Sequence, residues 1–356
     1  DIETYSKDST SLVIDVTKFY GSDIPAMSAL DASLRVTHGV RNLDASRSFI
    51  RSIKSFPLNI EVLQDFTYNA SKPSATAYTE TISLQMNQSM ILLPEKPMKP
   101  RLFDQRVGYF TQKQYDYSSE ELKSDQKTYI QRWRLEPKDM AAYKRGELVE
   151  PIKPIVYYLD PGTPEPIRSA LLDGASWWNQ AFEAIGYKDA FQMKMLPVGA
   201  DPLDVRYNMV QWVHRSTRGW SYGSSISDPR TGEIIKGHVS LGSLRIRQDF
   251  LIAQALQAPY KKDAVDDDFA LQMAIARIRQ LSAHEIGHTL GFAHNFAAST
   301  NGRASVMDYP HPKFSLKENK IDFSNAYDTK IGVWDKVTVA YFYQEFEKDE
   351  ENELHK

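Results

Sequence analysis

The sequence predicts an α+β protein. A β-rich region over residues 1–149 precedes a domain over 150–356 in which a twisted mixed sheet packs against long helices. Three observations predict it. Up to about residue 150, apolar residues alternate in short runs rich in β-branched and aromatic side chains. Beyond Pro151 the patterns follow in the order strand, helix, strand, strand, hairpin. From about Asp266 to Leu290 a helical period is sustained, and it runs into a stretch holding three of the chain's eight histidines.

In the first region the strand candidates are SLVIDVTKFY (11–20), NIEVLQDFTY (59–68), TISLQMNQSMILL (81–93) and YIQRWRLEP (129–137). Connections rich in Pro, Lys and Asn separate them, as in PEKPMKPR (94–101). No repeat, low-complexity tract or chemical motif stands out there, so a structural or substrate-flanking role is expected.

In the second region PIVYYLD (154–160) reads as a short strand bounded by prolines. A helix is expected next, N-capped by Thr163, carrying Ile167, Leu171, Trp178, Phe182 and Ile185 at helical spacing and stopped by Gly186. FQMKML (191–196) and VRYNMVQWV (205–213) read as strands. Residues 220–243 read as a hairpin, with Asp-Pro and Thr-Gly supplying the turn at 228–232. The long helix opens on Asp266, Asp267 and Asp268, anions that suit a helix N-terminus. A last helix is expected over IGVWDKVTVAYFYQEF (331–346).

The 356 residues carry a net charge of -3, which gives no basic footprint for nucleic acid. No apolar run approaches the roughly 18 residues of a membrane-spanning helix. With no cysteine, disulfides, thiolate ligands and a thiol nucleophile are excluded. The chain starts at Asp1 without a methionine or leader, and ends in charged sequence without a helix stop. A processed chain, continuing past Lys356 in its native form, is therefore expected.

The chemistry is concentrated in HEIGHTLGFAH, residues 284–294. His284 and His288 are four apart, so on a helix both imidazoles lie on one face and can share a metal ion. Glu285 can reach a metal-bound water without binding the metal, the position of a general base. Gly291 tolerates a left-handed conformation, so the helix can stop and the chain turn back to bring His294 to the same metal. Three imidazoles leave the fourth position of a tetrahedral Zn²⁺ open, as in catalytic rather than structural sites. His311 and His238 are alternative ligand candidates that read rather as pocket or surface residues, and His38, His214 and His355 belong to no motif.

This stretch matches H-E-x-x-H-x-x-G-x-x-H and thereby resembles the metzincin clan of zinc endopeptidases. The resemblance covers about 150–356. Within the clan, LDPGTPEPIRSALLDGASWWNQAF, RSTRGWSYGSSISDPRTGEIIKGHVSLGS and SVMDYPHP look most like a large family of bacterial zinc-dependent metalloproteases that are long and exported. The resemblance implies a metzincin-like fold with an upper part to about 294 and a lower part from about 295. It implies one catalytic Zn²⁺ held by His284, His288 and His294, with Glu285 as base. Met307 would form the Met-turn beneath the zinc. Tyr309 would either bind zinc or stabilise the oxyanion, or simply pack in the substrate wall. The strand around Tyr222, Gly223, Ser224 and Ser225 would be the sheet edge on which an extended peptide pairs, or merely a structural edge. The implied partner is a peptide or protein substrate and the implied location extracytoplasmic, secreted or periplasmic. Asn295, after the third histidine, matches none of the best-known subfamilies.

The function expected is hydrolysis of peptide bonds by a zinc-activated water with Glu285 as base. The rival is a protein that holds zinc and captures peptides or acts as a scaffold without turnover, which would need no carboxylate beside the metal. Without cysteine, any latent form would need a carboxylate or a steric block at the metal.

Overall fold

A computed structural model describes residues 2–354 except 9, 29, 119, 121, 216–219, 257–266, 310 and 347–352. Asp266 and His355 therefore lie outside the described residues. The chain forms two compact units, Asp1–Leu93 with Leu203–Val205, and Pro94–Pro202 with Arg206–Lys356.

The first unit holds β1 (Ile2–Tyr5) and β2 (Leu12–Ile14), paired antiparallel, then α1 (Thr17–Gly21) and α2 (Ala32–His38). A four-stranded antiparallel sheet follows from β3 (Val40–Leu43), β4 (Phe49–Ser55), β5 (Asn59–Ala70) and β6 (Thr81–Ile91). β5 pairs with each of the other three, and Phe66 and Tyr68 on it are buried with Leu30 and Met86. The single strand expected over 11–20 is instead β2 followed by α1. Asp15 accepts the Thr17 backbone N–H at 2.8 Å, a local turn bond that competes with a continuing strand.

The second unit opens with the hairpin of β7 (Thr111–Asp116) and β8 (Asp125–Ile130), then α3 (Met140–Lys144). Its main sheet contains β9 (Ile155–Leu159), β10 (Phe191–Met195), β11 (Asn208–Val213), β12 (Tyr222–Ser227) and β13 (Ile234–Gly242). Their order is β10-β9-β11-β13-β12; all pairings are parallel except β12 on β13, so the sheet is mixed, as expected. The hairpin turn lies at Asp228–Gly232, where Gly232 takes a φ of 76°.

Between β9 and β10 the expected helix is two, α4 (Ile167–Ser176) and α5 (Asn179–Ala184), broken at Trp177 and Trp178. Thr163 does not cap α4, which starts after Pro166 with no side-chain cap. Trp178 is fully buried and donates Nε1–H to the Ala283 carbonyl at 2.8 Å. The helix α6 (Leu244–Leu256), which the sequence pattern did not announce, packs on α7 (Asp267–Thr289). β14 (Ser315–Lys317) and β15 (Lys320–Asp322) form a small hairpin before α8 (Val333–Tyr343).

The expected domain boundary near 150 does not coincide with the division at 93/94. Tyr109, Ile130, Trp133 and Leu135 are buried in the same apolar cluster as α4, α7, α8 and the main sheet. Their burial is what draws residues 94–149 into the second unit. YIQRWRLEP supplies only the end of β8; its remainder makes single bridges from Arg132 to Glu233 and from Pro137 to Pro151.

α4 and α7 lie close together because Gly174 has no side chain. A Cβ there would sit 2.0 Å from the Arg279 carbonyl oxygen, and a backbone cannot give way as a flexible side chain does. Gly174→Ala is expected to push the two helices apart and cost about 1–3 kcal/mol, as overpacking does. A fall in the thermal midpoint, followed by tryptophan fluorescence, checks this; an unchanged midpoint would contradict the contact.

Candidate metal centre

α7 ends where its side chains begin to converge on one point. Gly291 has a φ of 105°, in the left-handed region that costs glycine little. Its N–H donates to the His288 carbonyl at 3.1 Å, and the Phe292 N–H donates to the Gly287 carbonyl at 3.0 Å. That pair of bonds is a Schellman motif with Gly291 just past the helix end. Two further terminal carbonyls are met by side chains. Trp133 Nε1–H donates to Thr289 at 3.0 Å and Tyr343 Oη–H to Leu290 at 2.7 Å.

A strip from residues 94–149 fastens the turn from outside. Tyr109 bridges Phe292 antiparallel, with Phe110 N–H donating to the Gly291 carbonyl at 2.9 Å and Ala293 N–H to Gly108 at 3.2 Å. The Phe110 ring also lies 5.6 Å from that of His288. A Cβ on Gly291 would sit 2.1 Å from the Gln131 carbonyl oxygen and 3.0 Å from the Phe342 ring. Glycine is thus required both for the turn and for the backbone that crosses it.

The turn carries His294 back to His284 and His288, and ring nitrogens of the three lie within 4.8 Å of one another. The fit to a metal is set by their tautomers. His284 Nδ1 is 2.7 Å from the Val306 carbonyl and His288 Nδ1 is 2.8 Å from the Phe292 carbonyl. A carbonyl only accepts, so both Nδ1 atoms carry the proton and both Nε2 atoms present lone pairs. His284 Nε2 is buried with no hydrogen-bond partner, and His288 Nε2 faces His294 Nε2 at 3.1 Å. A buried acceptor without a partner is costly unless something fills the place. Burial holds all three imidazoles below the ordinary histidine value, His284 at about 3 and His288 at about 4, so they are neutral as metal ligands must be.

Glu285 is 5 % exposed. Burial pushes its carboxyl up to about 7, against the pull of Arg277, the Gly223 N–H and Arg245. The Met-turn stretch lies at the foot of α7. A Cβ on Gly287 would meet the Met307 sulfur at 2.2 Å and Trp178 at 2.7 Å, so Met307 packs flat against the helix between the first two histidines. Tyr309 follows, half exposed, its ring 5.0 Å from that of His284 and 4.5 Å from that of His294. Asn295 contributes through its backbone, donating N–H to the Met307 carbonyl at 2.9 Å.

β12 is the edge strand of its sheet, bearing Tyr222, Gly223, Ser224 and Ser225. A Cβ on Gly223 would lie 2.2 Å from the Glu285 carbonyl and 3.1 Å from His288 Cβ, so only glycine lets the edge run against α7. His238 is apart from the cluster and faces Gln211 Oε1 at 3.1 Å, while His311 lines a cavity beyond Tyr309.

The family comparison agrees with this geometry. Residues 266–356 match the Met-zincin family model. Residues 1–138 match a domain of unknown function (DUF5117), a span that runs past the first unit into the strip that holds Gly291. No curated protein and no solved structure matches the chain. The Met-zincin match supports a zinc metallopeptidase in general, and with the three histidines it is consistent with a single Zn²⁺.

Sequence reading missed Gly287, although a glycine inside a helical pattern was its signal. It also missed Asp335, which is buried at the start of α8. Asp335 accepts Ser305 Oγ–H at 2.6 Å, Val306 N–H at 2.9 Å and Gly332 N–H at 2.7 Å. It thereby ties α8 to the turn whose Val306 carbonyl orients His284.

Gly291→Ala is expected to cost at least about 1–3 kcal/mol, from the strained φ and the clash with Gln131. Circular dichroism melts check it, and a wild-type midpoint would contradict the crossing. Burial pushes Asp335 up to about 6, so the folded chain keeps its proton longer than the unfolded chain does. Its contribution is full below about pH 4 and is lost as pH rises through about 6, a fall on the order of 3 kcal/mol. Denaturant titrations across pH 4–7 should show that fall in the difference between wild type and Asp335→Asn, a comparison in which the titrations of the buried histidines and of Glu285 cancel.

Proposed function

We propose that the protein is a zinc-dependent endopeptidase. The observation that carries this reading is the set of inward-facing, deprotonated Nε2 atoms beside a buried carboxyl. In this reading His284, His288 and His294 hold one zinc ion. When bound, zinc supplies Lewis-acid activation of a water and of the scissile carbonyl. Glu285 takes the proton of the attacking water and returns it to the leaving amine. A carboxyl pushed up to about 7 suits a group that must accept and release a proton near neutral pH. Tyr309, stacked on His284 and tilted against His294, steadies the carbonyl oxygen through its hydroxyl.

An extended substrate pairs along the outer edge of β12. The Gly223 N–H is already engaged by Glu285. Because backbone groups on one side of a strand alternate, Ser225 offers the next free pair on that side. The boundary of the catalytic domain belongs to this reading as well: residues from about 94 onward are needed for it, since they secure Gly291. So does an extracytoplasmic location, checked by fractionating cells.

A zinc-holding protein that captures peptides without turnover accounts for the histidines and the open edge, but it gives buried Glu285 no task. Protein purified without chelators should contain one zinc per chain by mass spectrometry. Glu285→Gln should keep the zinc while slowing cleavage of a peptide library at least about a hundredfold. Equal rates for the variant and wild type would refute the mechanism.

A further inference from the structure

A cavity of about 520 Å³ opens beside Tyr309. Arg245, Asp249, Arg277, Tyr309, His311 and Tyr327 are among its lining residues. Tyr309 belongs to both the cavity and the histidine cluster, so the two adjoin. Arg277 and His284 are seven apart on α7, and His288 is four further on. That spacing places all three on one stripe of the helix.

The charges in the cavity do not balance. Arg245 Nε binds Asp249 Oδ2 at 3.0 Å, which neutralises one of the two guanidiniums. Arg277 donates Nη1–H to the amide oxygen of Gln280 at 3.0 Å, and its guanidinium lies 5.8 Å from the centre of the Tyr327 ring. Among the described residues no carboxylate comes within ion-pair distance of it. Burial and the nearby Arg245 both push Arg277 down, and Asp249, Tyr327 and the Glu285 carboxyl offset this only in part. Two cations and one anion therefore share a partly apolar cavity next to the proposed catalytic carboxyl. A half-buried guanidinium without an ion-pair partner is costly, and a planar fork suits a carboxylate ligand.

We infer that this cavity is a specificity pocket that takes the acidic side chain of a substrate residue flanking the scissile bond, with Arg277 receiving the carboxylate. The inference rests on the endopeptidase reading above. It assigns a substrate class, peptides with Glu or Asp at that place, and a specificity-determining role to Arg277.

The test uses peptides alike except at the two residues flanking the cleaved bond, which carry Glu, Gln, Leu or Lys in turn. Wild-type holoprotein should cleave the best Glu peptide with a kcat/KM at least about tenfold above that of its Gln counterpart. Arg277→Gln should bring that ratio to about one. Asp249→Asn, which removes the competing carboxylate, should raise it, a change that loss of packing alone would not produce. Equal wild-type rates for Glu and Gln peptides overturn the inference while leaving the endopeptidase reading intact, and this comparison needs no variant to fold. A lower ratio in Asp249→Asn, or an unchanged ratio in folded Arg277→Gln, also overturns it. If no peptide is cut, the endopeptidase reading fails. The pocket is then judged by fluorescence anisotropy with the same peptides. Glu peptides binding at least about tenfold tighter than Gln peptides uphold the pocket, and equal binding overturns it.

Discussion

The site depends on how one helix stops. If α7 continued past Leu290, His294 would lie further along its axis and could not meet His284 and His288. Gly291 permits the reversal by its left-handed φ, but the reversal is held by other parts of the chain. Gln131 crosses within 2.1 Å of where a Cβ would be, Phe110 and Gly108 pair with the chain beyond the turn, and Trp133 and Tyr343 take up the last helical carbonyls. Each of these bonds satisfies a group that a buried helix end would otherwise leave orphaned. The same bonds fix the direction in which the chain leaves.

Once the chain has turned, orientation of the rings follows from backbone carbonyls. Val306 and Phe292 accept from the two Nδ1 atoms, so the tautomers are set by the main chain. Val306 is in turn held by Asp335 at the head of α8. The cluster is therefore secured from three sides: the strip before β7, the Met-turn and α8. Met307 closes the floor through its sulfur contact with Gly287, where any side chain would displace it.

What could be read from the sequence was what is local along it. The histidines, Glu285 and Gly291 fall on eleven consecutive residues, and helical geometry alone brings two ligands together. β5, β6, β9, β10, β11, the 228–232 hairpin, α7 and α8 were legible because their patterns suit one period each. The division at 93/94 was not. The Pro-rich connection PEKPMKPR begins there, but only burial of Tyr109, Ile130, Trp133 and Leu135 with the apolar core of the second unit marks it as the division. Asp335, Gln131 and Phe110 stayed invisible because they meet the site from 29 to 178 residues away in sequence, and no period encodes that approach.

Asn295 shows where a family pattern ceases to be informative and physical reasoning takes over. The residue after the third histidine differs among the best-known metzincins, which invites the question of what its side chain does. Here its bond to the Met-turn runs from the backbone N–H to the Met307 carbonyl. Any residue other than proline supplies that donor. The position can therefore vary in side chain while its mechanical task, tying the third histidine's chain to the turn beneath the first two, stays the same.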